Sequence, residues 1–279
     1  LGMNNLFGNG QQLSLDWNFG RYYRSFNVGF TEPWFMNTPT LIGLNFFDTK
    51  REAYYIGYSQ RMKGLSLRFG RRFRWPDNFF RGDWIYRLEE QEYSDFSAYI
   101  LEWNPNNITG INWPLVSSSV TQIMSRNSLN NPEFPTRGSS VSLSTSLSGG
   151  FLGGVVNYHK HIFISEFFIP VISDKLILMA RGKMGYMEKI GGKENIFPWD
   201  YFHIGGGGLS RSEPLRGYED PLVGGSISSE GGKTMLKTTF ELRFPIISNP
   251  TMFGLLFTEA GETWRDIKHT DPFNLKRSV

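Results

Sequence analysis

Apolar and polar residues alternate along most of this chain. Residues 11–19 put Leu13, Leu15, Trp17 and Phe19 on one side and Ser14, Asp16 and Asn18 on the other, the period of two that belongs to an extended strand. Residues 24–32 set Phe26, Val28 and Phe30 against Asn27, Gly29 and Thr31, and 64–73 set Leu65, Leu67, Phe69 and Phe73 against Ser66, Arg68 and Arg72. In 138–148, Val141, Leu143 and Leu147 alternate with Ser140, Ser142, Ser144 and Ser146, so the second face is almost wholly hydroxyl. Further candidate strands are 40–48, 52–61, 80–91, 96–103, 116–126, 155–169, 175–187, 234–245 and 252–263. They make about thirteen in all, most near the 9–11 residues that a tilted membrane strand needs. Strands of soluble sandwiches average about 5–6 residues, so length and alternation together predict an all-β, antiparallel transmembrane β-barrel. Alternation is poor in 155–169 and 252–263, where the inward face is expected to pack on a plug or loop.

Two stretches do not read as spanning strands: 74–115, with Trp75-Pro76-Asp77-Asn78, and 188–233, rich in Gly and Ser. Structureless segments this long are usually functional, and in membrane barrels the long loops face outward while short turns face the periplasm. If 80–91 and 96–103 pair as a hairpin within an outer loop, two fewer strands span, which leaves about 11–13. No repeat of fixed period is present, which disfavours a propeller or solenoid.

Composition sharpens the picture. Aromatics are 16% of the 279 residues and hydrophobic residues 39%, yet mean hydropathy is only −0.33. Such a chain is aromatic-rich without being apolar, as expected of a barrel with aromatic girdles. No run approaches the roughly 18 to 20 apolar residues of a membrane helix. The opening Leu1-Gly2-Met3-Asn4-Asn5 has no basic-then-apolar leader, so a mature chain or a fragment is expected. There is no cysteine, which removes disulfides and thiolate metal sites. A formal charge of +3 suits anionic lipid as readily as nucleic acid.

Catalytic chemistry finds little support. No Gly-x-Ser-x-Gly elbow is present. Gly205-Gly206-Gly207-Gly208 is followed by Arg211-Ser212-Glu213-Pro214, where a phosphate loop requires a helix to begin. His159 and His161 share a strand face at a spacing that suits a metal, but no third ligand lies near them in sequence, and polar residues at a membrane interface are the more economical reading. Asn107-Ile108-Thr109 matches a glycosylation acceptor, without meaning in a bacterium. Neither catalytic residues, a cofactor nor a metal is expected.

Other motifs are more specific. Leu6-Phe7-Gly8-Asn9-Gly10-Gln11 resembles a glycine turn, Phe30-Thr31-Glu32-Pro33-Trp34-Phe35 a Thr-acid-Pro-aromatic-Phe turn, and Pro132-Glu133-Phe134-Pro135-Thr136-Arg137-Gly138 a Pro-x-Phe-Pro-Thr-x-Gly turn. Leu215-Arg216-Gly217-Tyr218 lies in the long Gly-rich loop, followed by Glu241-Leu242-Arg243-Phe244-Pro245 and Glu259-Ala260-Gly261-Glu262-Thr263-Trp264. Taken singly, Pro-Thr-Arg-Gly is also an ordinary good turn, whereas an Arg deep in a Gly-rich loop between strands has no ordinary reason to be there. Six such motifs in order resemble the barrel of the BamA-type outer-membrane protein assembly factors, part of a superfamily of assembly and secretion barrels that carry periplasmic POTRA domains. Glu259 stands where that family's pattern has Asp.

The resemblance implies a barrel of about sixteen strands, of which residues 1–279 would form a single barrel domain without the first strands, the last strands, the lateral gate between them, or POTRA domains. The segment from Asn274 resembles the opening of the fourteenth strand. The implied function is folding and insertion of β-barrel proteins into the bacterial outer membrane. Implied partners are unfolded barrel precursors, periplasmic or lipoprotein subunits, the bilayer and lipopolysaccharide, with no nucleic acid. Pro33, Trp34, Phe35, Pro135 and Gly138 are expected in periplasmic turns. The 188–233 loop is expected to fold into the lumen, where Arg216 pairs with Glu241 and Glu259, aided by Gly217, Tyr218 and Gly261. A secretion pore of the same superfamily, a passive porin and a soluble β-rich enzyme or lectin are the alternatives.

Overall fold

The computed structural model describes residues 2–6, 8–53, 57–103, 109–173, 175–191, 196, 200–207, 212–219, 231–248 and 251–279. Among them lies one antiparallel sheet of thirteen strands in simple sequence order: β1 (Gly2–Leu6), β2 (Gln11–Phe19), β3 (Tyr23–Glu32), β4 (Thr40–Ala53), β5 (Tyr58–Arg72), β6 (Phe80–Ser94), β7 (Leu115–Asn127), β8 (Gly138–Ser148), β9 (Tyr158–Ile172), β10 (Leu176–Lys189), β11 (Thr234–Ser248), β12 (Thr251–Trp264) and β13 (Lys276–Ser278). Each pairs with its chain neighbours, and β1 and β13 are the edges. The sheet curves into a partial barrel. Phe134, in the connection after β7, stacks on Phe253 of β12 with ring centroids 4.7 Å apart, a contact across the concave side that a flat sheet forbids.

Register sorts the faces. Leu13, Leu15, Trp17 and Phe19 lie opposite Phe30, Val28, Phe26 and Arg24, and Trp17 and Phe19 are 70% and 80% exposed. On β11, Phe240, Leu242 and Phe244 are exposed while Lys237, Thr239 and Glu241 are buried. The polar side is therefore the inside, the reverse of a soluble barrel. The hydroxyl face of β8 meets that of β7 in the lumen, where Thr121 and Ser146 oxygens lie 2.8 Å apart and those of Ser117 and Ser148 3.1 Å.

Antiparallel order sends alternate connections to opposite rims, and the three longest, 95–114, 190–233 and 265–275, share one of them. One rim has the turns 7–10, 33–39, 73–79, 128–137, 173–175 and 249–250; the other has 20–22, 54–57, 95–114, 149–157, 190–233 and 265–275. The turns with Pro33 to Phe35 and with Pro135 share the first rim, which Gly138 enters at the start of β8.

Several expectations are corrected. Segments 40–48, 52–61 and 64–73 are two long strands, β4 and β5, whose pairing continues through Asp48↔Lys63 to Ala53↔Tyr58. Strand β6 lies inside the stretch 74–115 that was expected not to span, paired along its length with β5 and β7. The expected strand 96–103 is instead a helix, α1 (Ala98–Trp103), so it forms no hairpin with β6. Strand β9 begins at Tyr158, after a turn in which Asn157 Oδ1 accepts the Gly150 N–H at 2.8 Å. Residues 2–6, which are not among the expected strands, form β1. Phe7, Asn107, Ile108, Gly208 and Arg211 lie outside the described residues.

An exposed Leu15 beside an Asp16 that faces the lumen gives a direct test. A carboxylate against mid-bilayer hydrocarbon costs about 2.5 to 3.5 kcal/mol on insertion scales, so neighbouring positions must see opposite media. Spin labels at the two positions, in the protein reconstituted in bilayers, should give high oxygen collision with low water-soluble quencher at 15 and the reverse at 16. Equal accessibilities would exclude a membrane strand there.

Candidate luminal lock

Residues 200–207 and 212–219 of the connection between β10 and β11 pack against the inner wall of β9–β12. Strand β11 turns Glu241 inward, 3% exposed, and β12 turns Glu259 inward, 4% exposed. Carboxylates so withdrawn from water require hydrogen-bonded cations. Arg216 of the loop supplies one: its Nη2 lies 2.9 Å from Glu241 Oε1. Arg243, two residues along β11, takes the other oxygen, with Nη2 2.7 Å from Glu241 Oε2. Glu259 is held differently. It accepts the backbone N–H of Arg216 at 3.2 Å, with Arg216 Nη1 at 3.8 Å and Lys237 Nζ at 3.7 Å. The guanidinium thus forks less evenly than expected; its carbon sits 4.2 Å from the centroid of the Phe257 ring, and Phe257 lies opposite Glu241 in the ladder.

The loop is pinned along its length. Leu215 is fully buried, Lys183 pairs with Glu213, and Lys237 donates to the Pro214 carbonyl. Gly205 N donates to Glu213 O at 2.8 Å and Gly206 N to Tyr218 O at 2.9 Å, so the Gly-rich run is a backbone partner for the Arg216 segment and not a phosphate cradle. Gly217 turns the chain at φ 80°. The Tyr218 hydroxyl donates to the Arg277 carbonyl at 3.0 Å and accepts its N–H at 3.1 Å, tying the loop to β13. Gly261 is a slot: a Cβ there would sit 2.4 Å from Cδ1 of Ile204. Phe202 buries against Met187 and Met235, with Tyr158 and Ile162 beside them, which is why the inward face of β9 is apolar. A polar cavity of about 650 Å³ remains beside the lock.

The turn residues lie at the opposite rim. Trp34 and Phe35 are exposed, and Glu32 orders their turn, accepting the Trp34 N–H at 2.9 Å and the Gln11 side chain at 2.7 Å. Pro135 is buried and Gly138 adopts φ 111°. Asn130 and Asn131 wind this second turn with side-chain acceptors, and Phe134 is thereby sent inward against the Phe168, Ile177 and Met179 cluster. Sequence reasoning missed Leu215, Phe202, Ile204, Phe257 and Phe134. The one available signal was the doubly apolar inward face of β9 and β12.

His159 and His161 do not join the lock. Their rings face outward on β9, 3.1 Å apart at the nearest nitrogens, with Tyr186 stacked on His161. Among the described residues no group of three metal ligands exists.

Fold and site define a transmembrane β-barrel whose lumen is partly filled by one locked loop. The chain belongs to the Omp85 superfamily, whose domain matches residues 5–278. Among solved structures it is similar to BamA from Haemophilus ducreyi lacking POTRA domains 1–3, at 21% identity and TM-score 0.72, over 96% of this chain and 54% of that one. It is also similar to CdiB from Acinetobacter baumannii, at 15% identity and TM-score 0.53, over 97% of this chain and 46% of that one. The chain therefore spans about half the length of the structures it matches.

Removing one partner of a buried ion pair costs about 3–5 kcal/mol. Arg216 is 44% exposed to the lumen, and Arg243 and Lys237 remain to hold the carboxylates, so Arg216→Ala should cost only about 1–2 kcal/mol. Arg216→Lys should recover part of this, since an ammonium keeps the charge but loses the fork and much of the stack. Denaturant midpoints of the micelle-embedded barrel measure the effect. An unchanged midpoint together with unchanged protease resistance of the loop in the Ala variant would refute the lock.

Proposed function

We propose that this chain is the barrel portion of an assembly factor that folds and inserts β-barrel proteins into the bacterial outer membrane. The observation that carries the reading is the Arg216–Glu241 pair at 2.9 Å inside an Omp85 barrel. It anchors a long loop within the lumen, where a passive pore would keep a charged constriction open. An unpaired strand edge is costly in lipid, because no water satisfies its backbone groups. A barrel with an openable seam can lend its backbone hydrogen bonds to an incoming strand, as in β-augmentation. Such work needs neither a catalytic side chain nor a cofactor. The loop held by Arg216, Gly217, Tyr218, Glu241, Glu259 and Gly261 keeps the lumen filled and one wall stiff while another part of the barrel opens. On this reading the turns with Pro33, Trp34, Phe35, Pro135 and Gly138 face the periplasm. The partners are unfolded barrel precursors, periplasmic or lipoprotein subunits, and the surrounding lipid and lipopolysaccharide.

Polypeptide export is the second reading within the same superfamily, and the charged cavity of about 650 Å³ beside the lock favours it. One cellular experiment separates the readings. With Arg216→Ala in the producing bacterium, an assembly factor should show lower steady-state levels of many heat-modifiable barrel proteins in the outer-membrane fraction. Loss of a single exported polypeptide with those levels intact would support export, and altered solute uptake alone would support a porin.

A further inference from the structure

The end of β5 and the turn that follows it read Arg71-Arg72-Phe73-Arg74-Trp75, on the rim opposite the three longest connections. Alternation sends Arg71 outward and Arg72 to the mouth of the lumen, where it faces Arg81 of β6. The three arginines are exposed, and none makes an ion pair or side-chain hydrogen bond among the described residues. The nearby carboxylates are engaged elsewhere. Asp83 is shared by two guanidiniums, with Arg68 Nη2 at 2.8 Å and Arg81 Nε at 2.7 Å. Asp77 lies 2.9 Å from Arg126 Nε and accepts the Phe79 N–H at 2.9 Å. Residues 68–83 with Arg126 thus hold six cations and two carboxylates, and adding Glu32, Glu133 and Arg137 of the neighbouring turns still leaves three positive charges in excess. Register sets Thr40 opposite Arg71, so the turn 33–39 leads into the strand beside these arginines and brings Trp34 and Met36, 58% and 79% exposed, to the same rim as Trp75 at 84%.

We propose that this rim docks the acidic face of a folded polypeptide, with its carboxylates on Arg72 and Arg74 and its apolar contact on Trp75, Trp34 and Met36. The inference rests on the assembly-factor reading, which turns this rim to the periplasm, and gives one accessory subunit of that reading its seat. Charge complementarity calls for carboxylates, and a guanidinium can take one with two parallel hydrogen bonds. Position favours a protein over a lipid. The outward aromatic belt ends in Phe69, Trp84 and Phe73, whose rings lie 5.6 Å (Phe69 to Trp84) and 6.4 Å (Phe73 to Trp84) apart. Trp75 is two residues further on, up to about 7 Å along an extended chain, and Arg72 opens on the lumen, so a bilayer lipid reaches only Arg71. Exposed Trp, Met and Arg are also the residues enriched where proteins meet. The turn is preformed: Phe73 N donates to Phe80 O at 2.9 Å, and the Arg126 guanidinium carbon lies 5.5 Å from the Phe79 centroid. A surface held in one shape gives up little freedom on docking and suits a partner that is itself fixed in shape.

The test uses the protein from its producing bacterium, extracted in neutral maltoside at low salt. Carbodiimide joins a carboxylate to a lysine and not to an arginine, so Arg74→Lys keeps the charge and turns an apposed carboxylate into a zero-length cross-link. The introduced lysine should link to clustered carboxylates of one folded subunit, mapped by peptide mass spectrometry, and wild type should give no link at this site. The triple variant Arg71→Gln, Arg72→Gln, Arg74→Gln should lower the yield of that subunit with the barrel about ten-fold, the scale of three exposed ion pairs. Raising the salt to about 0.5 M should do the same to wild type and nothing further to the triple variant. Trp75→Ala should weaken the association with every charge in place. Heat-modifiable gel mobility verifies that each variant is folded. Links scattered over many barrel precursors overturn the proposal in favour of a client path. The absence of any protein link overturns it too, and charge-dependent retention of phosphatidylglycerol would then make the patch a lipid site. The chain has no cysteine, so Trp75→Cys reports sidedness alone: its labelling on intact cells by a maleimide too large to cross the outer membrane would sink the periplasmic reading and the proposal with it, an outcome distinct from the others.

Discussion

Two carboxylates inside the wall govern the rest of the structure. Glu241 and Glu259 sit on adjacent strands and are 3% and 4% exposed, with lipid-facing residues on either side of each along its strand. Neither can turn outward without meeting hydrocarbon, and neither can stay charged inside without cations. Arg243 and Lys237 come from the wall, but they leave Glu241 Oε1 and Glu259 Oε2 to be met from the lumen, and the loop meets both through the side chain and the backbone N–H of Arg216. The position of the loop follows. Arg216 fixes one point, the buried Leu215 fixes the next, and the missing side chain of Gly261 leaves the space that Ile204 occupies.

The lock is also not isolated from the opposite rim. Arg243 holds Glu241 at 2.7 Å and stacks on Phe168 and Phe253, with its guanidinium carbon 5.3 and 5.7 Å from their centroids. Phe253 in turn stacks on Phe134 of the short-rim turn. A chain of contacts therefore runs from Arg216 of the long connection through Glu241 and Arg243 to the 128–137 turn. Because aromatic and ionic contacts of this kind are packed, not sliding, a displacement at either end must be taken up at the other or break a contact between.

Much of this was legible in the sequence, and what was missed follows from where a hydropathy pattern stops carrying information. Alternation located β2, β3, β8 and β11 closely, because each crosses hydrocarbon on one side and a wet lumen on the other. It failed for β4 and β5, which continue through Lys50, Arg51 and Glu52 and through Ser59, Gln60 and Arg61. Hydrogen bonding persists beyond the bilayer there while the reason for alternation does not. The short run 98–103 fits strand and helix alike by composition, and it folds as a helix because no sheet edge is free beside it: β5 and β7 already flank β6. Inward Glu241 and Arg216 were readable because a charge has few places to go in a membrane wall. Phe202, Ile204 and Phe134 were not, since an apolar side chain in a loop carries no mark of which cavity it fills.

The filling of the lumen is uneven, and this bears on where such a barrel can deform. The inner face of β9–β12 is covered by Phe202, Ile204, Leu215 and the ion pairs of the lock, so moving those strands means breaking buried contacts. The inner faces of β2–β4 instead carry mostly short polar groups, among them Ser14, Asn18, Ser25, Asn45 and Thr49, with Leu41, Phe47 and Arg51 between them, joined by hydrogen bonds such as Ser25 to Thr49 at 3.2 Å and by Arg87 over the Phe47 ring at 5.7 Å. That wall is held by its backbone ladder and by the lipid outside it. Bending it would therefore break fewer buried side-chain contacts than bending β9–β12, where the loop residues are packed.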